Sequence, residues 1–222
     1  MKNRKVILTA LAVTFGLAAA GCGQQSKTGT WNANINSVYV TQAMEVESAL
    51  VYSSDQFNEL YNRDELAEFA KAAVAEYNSE NGAEAAAENT EGKAKLPVAL
   101  KSCSLEGRTG VLIFDYAAPE YFTSFAEASE DDTHTITSLA VQKVAEAEGI
   151  SEAAFTDRKG KAVTAENVVK KTDAVAVIVE GAGTICTEGK ILYVAGDQTP
   201  VEIKDDFTAA TGEGKSYIIF QQ

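Results

Sequence analysis

Short apolar segments in the last fifty residues constrain the fold of this chain more than any other sequence feature. No segment is longer than six residues, and glycine or proline stands in most of the gaps. Apolar runs of this length between turn residues are typical of β-strands, whereas helices are usually longer. The sequence therefore predicts a β-rich C-terminal portion. The segments are 174–179, 184–187, 190–195, 201–203, 207–211 and 216–220.

Two pairs of strand-like segments come earlier in the chain. Residues 37–40 and 46–52 alternate side chains between two faces, and a short link separates them. Residues 98–105 and 111–116 form the second pair, with Gly107 in the link. Because short links join antiparallel neighbours, each pair is predicted to form a β-hairpin.

Asn62 begins the helix with the strongest sequence signals. Its side chain can accept hydrogen bonds from first-turn amides, Glu65 completes a capping box, and Gly82 is placed to end the helix. Apolar residues recur on one face and are predicted to pack in the core, so Phe69→Ala is expected to cost about 3–5 kcal/mol. The predicted core face consists of Leu66, Phe69, Ala70, Ala73 and Tyr77.

Further helices are predicted after the second hairpin. One starts at Pro119, which suits a first helical turn, and ends before the acidic run 130–132. Residues 138–148 predict a weaker helix, and Thr164 is expected to cap a short helix that ends at Val169. The whole pattern predicts an α+β fold, in which antiparallel hairpins pack with two or three helices and a β-rich portion follows. The inward residues of the helix after Pro119 are expected to be Tyr121, Phe122 and Phe125.

The first 21 residues predict an export signal. Lys2, Arg4 and Lys5 form a basic head, and residues 6–20 carry no charge. A basic head, an apolar stretch and small residues before a cleavage site are the parts of a signal peptide. The apolar stretch is shorter than the ~20 residues of a membrane-spanning helix.

The end of this signal resembles the lipobox of bacterial lipoproteins, whose cysteine is lipidated and becomes the first mature residue. The resemblance rests on Ala-Ala-Gly-Cys at residues 19–22. It implies a lipid anchor at Cys22, the bilayer as partner, and a location at the extracytoplasmic face of the bacterial cell membrane. The family favours leucine where this chain has Ala19, so plain secretion after cleavage at Ala20 stays open.

The composition of the rest of the chain predicts a tether and a folded domain, and its charge disfavours nucleic acid as a partner. Residues 22–30 are small and polar and predict a flexible tether. A single domain is predicted over residues 31–222, with a sub-boundary near residue 172. The chain has a net charge of −13, and without the three basic residues of the signal the remainder carries −16. This charge opposes binding to nucleic acid, which needs basic patches.

The single histidine, His134, limits the catalytic sites that are available. A Ser-His-Asp or Cys-His site would have to use it, but it stands in a polar segment and no G-x-S-x-G motif occurs. A solvated histidine without a catalytic role is expected, and His134→Ala should change stability by at most about 0.5 kcal/mol. No catalytic residue is predicted.

Acidic residues beside His134 are the densest group of metal-ligand types. Glu130, Asp131 and Asp132 lack the spacing of an EF-hand, and no paired-histidine pattern exists. No metal is therefore predicted. Carboxylate pairs for glycoside cleavage stay open, because their separation in space and not in sequence defines them.

Residues 212–216, Gly-Glu-Gly-Lys-Ser, resemble the end of a phosphate-binding P-loop. Ala209 stands where the motif needs its first glycine, and Ser216 opens a strand-like segment where the motif needs a helix. The segment is predicted to be a hairpin turn, and neither a nucleotide nor another cofactor is expected.

Cys103 and Cys186 are the cysteines outside the signal segment. Both lie in strand-like segments, and two cysteines in a chain of this length do not make a disulfide framework. Buried free thiols are favoured over a disulfide between them.

Beyond the lipobox, several segments resemble a group of small Gram-positive lipoproteins. They are 61–66, 76–78, 189–194 and 216–220. The group implies a lipid-anchored membrane protein and brings no activity with it. Residues 83–95, rich in alanine and glutamate, look like an insertion relative to that group and predict an exposed loop.

These features favour a membrane-anchored, extracytoplasmic lipoprotein that is not an enzyme and acts as a binding or envelope-associated module. The alternative is an extracytoplasmic hydrolase that acts through carboxylates. A transport receptor is least favoured, because such receptors usually close two lobes around a cleft.

Overall fold

The computed structural model describes residues 31–54 and 62–222. The signal segment, the tether and Cys22 lie outside this part of the chain. Within the described ranges, no helix is long and apolar enough to cross a membrane. The described chain is strand-rich and also contains α-helices, which confirms the predicted α+β class.

The described chain has thirteen strands and three α-helices. In order they are β1 (Ser37–Val40), β2 (Val46–Ser53), α1 (Arg63–Glu80), β3 (Val98–Glu106), β4 (Thr109–Tyr116), α2 (Pro119–Ala128), β5 (Ser138–Lys143), β6 (Phe155–Asp157), β7 (Ala162–Val163), α3 (Ala165–Val169), β8 (Val175–Glu180), β9 (Gly183–Thr187), β10 (Ile191–Gly196), β11 (Glu202–Ile203), β12 (Thr208–Thr211) and β13 (Lys215–Phe220). Two short 3₁₀ helices, Val144–Glu146 and Ile150–Glu152, follow β5.

These strands form two sheets. The first has the spatial order β11-β12-β9-β1-β2-β4-β3, and its described pairs are antiparallel except for β1 with β9. The second has the order β5-β8-β13-β10-β6-β7, with antiparallel pairs throughout the described strands. Both predicted hairpins are confirmed, β1 with β2 and β3 with β4. Strands from both sides of residue 172 pair with each other in each sheet.

The second sheet is covered on both faces, which explains its nearly continuous apolar sequence. Val177 and Ile218 belong to the same buried cluster as Val38 of the first sheet. Ala176, on the opposite face of β8, belongs to a second cluster with Val168 of α3. Alternate side chains of the strands β8 and β13 therefore contribute to two different hydrophobic clusters, one on each face of the second sheet.

Helix α1 starts as predicted. The Asn62 side chain accepts from the amides of Asp64 and Glu65 at 2.9 and 3.1 Å, and the Glu65 carboxylate accepts from the Asn62 amide at 3.0 Å. Gly82, with φ +76°, follows the end of the helix. The capping box and the terminating glycine are confirmed.

The predicted core face of α1 was wrong at Phe69, whose side chain is 41% exposed. The helix buries Ala70 and Tyr77, as predicted, and also Val74 and Asn78, which the predicted face did not include. Tyr77 packs edge-on against Phe125 of α2, with ring centroids 5.2 Å apart, and this contact fixes the rotation of the helix. The large stability cost expected for Phe69→Ala therefore does not follow.

Asn78 is fully buried and ties the loop after α1 to the first sheet. Its amide donates to the carbonyls of Ala86 and Val98, both at 2.8 Å, and its carbonyl accepts from the Val98 amide at 3.1 Å. Residues 83–95 have no helix or strand and are mostly exposed, as predicted.

The predicted helix over residues 138–148 is wrong, because this segment forms strand β5 and a 3₁₀ helix. β5 pairs along its length with β8, and Leu139 is buried in the larger of the two clusters, the one that contains Val38 and Val177. Pairing with a strand more than thirty residues away overrides the local helix propensity.

Two other helix predictions had different outcomes. Pro119 is the first residue of α2, and Phe122 and Phe125 are buried with Tyr121 partly so, which confirms this helix. α3 follows Thr164, but the threonine side chain makes no capping hydrogen bond within the described residues. The expected side-chain cap was wrong.

Residues 212–216 do not form the predicted hairpin turn, because β12 and β13 belong to different sheets. The segment carries the chain from one sheet to the other. Ser216 lies in β13, as the strand prediction required, and is fully buried.

Cys103 and Cys186 are both buried and free, which confirms the predicted thiols. They lie on β3 and β9, which are four strand spacings apart in the first sheet. At ~4.8 Å per spacing, the two residues are far beyond the Cα separation that a disulfide allows.

Candidate binding cavity

A cavity of about 370 Å³ lies against the first sheet. Its walls come from strands β1, β2, β4, β9 and β12, from helix α2, and from the segment 129–136 that follows α2. Sheet, helix and connecting segment thus meet around one space.

Aromatic side chains form much of the wall. Phe122 of α2 meets Tyr116 of β4 edge-on, with centroids 5.7 Å apart, and Phe125 meets Phe114 in the same way at 5.3 Å. All four line the cavity and are buried. Phe122 and Phe125 are three residues apart, so both lie on one face of helix α2.

A hydroxyl pair lies in the same wall. The Ser48 and Tyr116 hydroxyl oxygens are 2.8 Å apart, and both residues are buried. Burial raises the pKa of Tyr116 and the nearby charge of Asp131 adds to the increase, although the hydrogen bond with Ser48 opposes it. The phenol therefore stays protonated and can donate or accept a hydrogen bond.

Asp131 and Asp132 supply carboxyl groups to the cavity. Glu130, at φ +54°, turns the chain at the end of α2, after which the Asp131 amide donates to the Ala126 carbonyl at 2.9 Å. One Asp131 carboxylate oxygen accepts from the Thr133 amide at 2.9 Å, and the side chain is 12% exposed. Glu130 itself is exposed and does not line the cavity.

His134 also lines the cavity, and the expectation of a solvated side chain was wrong. The side chain is only 11% exposed, because its ring lies against Phe122 with centroids 4.8 Å apart. Its Nδ1 accepts from the Ile136 amide at 3.0 Å. Its Nε2 is buried without a hydrogen-bond partner among the described residues, 3.7 Å from an Asp131 carboxylate oxygen.

These contacts define the protonation of His134. Burial lowers its pKa from the usual 6.5, and the charge of Asp131 opposes this shift only in part, so the ring is neutral near pH 7. Since Nδ1 accepts a hydrogen bond, the proton of the neutral ring must be on Nε2. In this arrangement neither nitrogen offers a free lone pair to a substrate, and the Ser48 hydroxyl bonds to Tyr116 and not to His134.

Two glycines hold the segment around His134 against the sheet. Thr135 and Ala182 exchange hydrogen bonds of 2.9 Å through the Thr135 amide and hydroxyl. A Cβ on Gly181, which has φ +107°, would collide with the Thr135 carbonyl, and one on Gly183 would collide with Ile136. In the sequence these glycines indicate only a turn, and nothing local shows what packs against them.

The charges around the cavity are of one sign. Among its described lining residues, two carry carboxyl groups and none is a lysine or an arginine. Burial raises the pKa of the neighbouring Tyr52, and the charges of Asp131 and Asp132 add to the increase. The polar end of the cavity is therefore electronegative.

Of the acidic group singled out in the sequence, Asp131, Asp132 and His134 come together at the cavity. Within residues 31–54 and 62–222, no group of three or more histidine, cysteine, aspartate or glutamate side chains is arranged to hold a metal ion. Sequence analysis missed Ser48 and Tyr116, which are 68 positions apart and carry no motif.

Comparison of the chain with known proteins adds no functional assignment. No protein-family model, no curated protein and no solved structure matches it. The resemblance to small Gram-positive lipoproteins therefore stays a prediction.

Proposed function

We propose that this chain is a lipoprotein, anchored through Cys22 at the extracytoplasmic face of the bacterial membrane, and that its folded part is a non-enzymatic binding module. The single observation that carries the binding role is the cavity of about 370 Å³. Small-molecule sites typically have 300–1,000 Å³, mostly apolar walls and a few polar groups, as this cavity does.

The chemistry of the cavity supports binding more than catalysis. His134 presents a donor and no basic nitrogen, and among the described residues the Ser48 hydroxyl bonds to the Tyr116 hydroxyl and not to a base. The two carboxyl groups belong to consecutive residues, Asp131 and Asp132. Glycoside cleavage needs two carboxyl groups that flank the scissile bond. The carboxylate hydrolase remains the alternative, without an observation that favours it.

The anchor rests on the sequence of residues 19–22 and can be tested in cells. An acyl-chain analogue should label the wild-type protein and the Cys103→Ala control, but not Cys22→Ala, and the unlabelled variant should leave the membrane fraction. An unlabelled wild-type protein found in the medium would show plain secretion instead.

The binding role can be tested with a compound library and thermal unfolding of the purified full-length chain. A ligand at 100 times its Kd stabilises the folded state by ~2.7 kcal/mol. Ala126→Leu adds bulk to the cavity wall on α2, and Ser129→Leu does so beside it. The matched control is Ala72→Leu, on the exposed side of α1.

Compounds that raise the Tm of the wild type and of the control should have no effect on the filled variants. The binding role is refuted when no compound raises the Tm, or when the stabilising compounds act equally on the filled variants.

A further inference from the structure

We infer that the cavity takes a small organic cation, a primary or quaternary ammonium ion, held by the carboxyl groups of Asp131 and Asp132 and by the aromatic wall. The inference rests on the proposed function, because it names the ligand class of the same cavity. Three observations support it.

The first observation is the charge of the lining. Asp131 and the more exposed Asp132 line a cavity whose described lining contains no lysine or arginine. An anion entering this space would meet like charge in a partly water-free site, where charges interact more strongly than in bulk water. A cation would meet opposite charge there, and the net charge of −13 on the whole chain attracts cations in the same sense.

The second observation is the unused hydrogen-bonding capacity of Asp131. One carboxylate oxygen already accepts from the Thr133 amide at 2.9 Å. The other oxygen faces the Nε2 of His134 at 3.7 Å, which is longer than a hydrogen bond. A primary ammonium could donate to this second oxygen, and a quaternary ammonium could lie beside it as a counter-ion, in both cases without displacing the bond that holds the segment.

The third observation is the aromatic wall, made of Phe114, Tyr116, Phe122 and Phe125. Aromatic rings attract cations through the negative charge on their faces, and the attraction grows when water is excluded. The Ser48–Tyr116 hydroxyl pair adds acceptors at the same wall.

The neutral state of His134 is consistent with this ligand class. Because burial lowers its pKa, the ring adds no positive charge to the cavity near neutral pH. A metal ion fits less well, since no group of three or more ligating side chains converges within the described ranges. The cation is therefore expected to be organic, with an apolar part that covers the rings.

The test separates charge from shape by using three probes of similar size. Choline carries the cation, 3,3-dimethylbutan-1-ol replaces its nitrogen by carbon, and 3,3-dimethylbutanoate carries an anion. Calorimetric titration of the full-length protein should give choline a Kd at least about ten-fold lower than either of the others, because only choline gains the electrostatic attraction of the carboxylates and the ring faces.

Variants locate the binding. Asp131→Asn should weaken choline binding about ten-fold while leaving the alcohol unaffected. The exposed Asp132→Asn serves the same purpose if Asp131→Asn does not fold. Glu76→Gln, which removes an exposed charge from α1, is the matched control and should bind choline like the wild type.

Equal or tighter binding of the alcohol or the anion overturns the cation inference and leaves the binding role intact, provided that the filled variant Ala126→Leu abolishes that binding. Failure of choline to bind also overturns the inference. The binding role itself would be refuted by a different result, namely that no compound of the library binds to the wild type and loses its binding in the filled variants.

Discussion

Two regions of the main buried cluster differ in how completely they are filled. In the packed region, formed by strands β10 and β13, Ile191, Ile218 and Phe220 are fully excluded from solvent. In the cavity region, the first sheet meets helix α2 and the segment 129–136, and a space of about 370 Å³ remains. In the first region β10 pairs with β13, with one register shift after Ile191, whereas a segment without helix or strand, residues 129–136, closes the second region.

This difference between the two regions suggests that the packed region mainly stabilises the fold and that the cavity region mainly provides a binding site. In the packed region, paired strands place apolar side chains against one another and exclude solvent from them. The irregular segment is held by the hydrogen bonds of Thr135 with Ala182 and by the packing of His134 on Phe122 and of Ile136 on Gly183. Substitutions in the packed region should therefore affect folding, and those in the cavity region should affect folding less and binding more.

The largest effect is expected at Phe220 in the packed region. Phe220→Ala should lower the free energy of unfolding by about 3–5 kcal/mol, because it removes a fully buried ring and leaves a void. Urea unfolding of both proteins measures the difference. A loss below about 1 kcal/mol would show that this region is not the stabilising core.

A smaller effect is expected at Gly181, which contacts the segment 129–136 that lines the cavity. Gly181→Ala forces a Cβ onto a residue with φ +107° and against the Thr135 carbonyl, and should cost about 1–3 kcal/mol. Any ligand found by thermal shift should also bind more weakly, because the segment 134–136 must move. Unchanged stability and binding would contradict the placement of this segment.

The pH dependence of stability tests the burial of His134. Its pKa is lowered in the folded state, so below pH 6.5 the unfolded chain binds more protons and the unfolding free energy falls as the pH falls. The slope fades above pH 6.5, where the unfolded chain also loses the proton, and ends below the folded-state pKa, where both states carry it. His134→Asn keeps an acceptor for the Ile136 amide and should reduce the slope in this window. An unchanged slope in the variant would show a solvated histidine.

The smallest effect is expected on the outer side of α1. Phe69→Ala should change the unfolding free energy by no more than about 0.5–1 kcal/mol, because the ring is 41% exposed. Val74→Ala, on the buried face of the same helix, is the comparison and should cost more. A larger loss at Phe69 than at Val74 would reverse the assigned rotation of the helix.

Local sequence signals were sufficient for most elements. The capping box at Asn62, the proline at 119 and the glycine-bounded apolar runs each depend on neighbours within a few residues, and each predicted its element. The rotation of α1 was missed because it depends on Tyr77 meeting Phe125 of another helix. Strand β5 was missed because its partner β8 lies much later in the chain.

The candidate site was less accessible to sequence analysis. Asp131, Asp132 and His134 were noticed as one polar segment, but the burial of His134 depends on Phe122 and the placement of its segment on Gly183 of a distant strand. The Ser48–Tyr116 pair joins two strands through a contact that no motif encodes. The cavity could not be predicted from local sequence, because its walls come from seven parts of the chain.

The parallel pairing of β1 with β9 has a consequence for the speed of folding. Val38 and Ile185 are register neighbours, although they are about 150 residues apart in the chain. Contacts between such distant segments must wait for an entropically costly loop to close, which slows folding. If the chain crosses a membrane from its N-terminus, β1 and β2 can pair early, but the other edge of β1 stays open until β9 has emerged. Interruption of translocation before residue 185 would therefore leave an unpaired strand edge exposed.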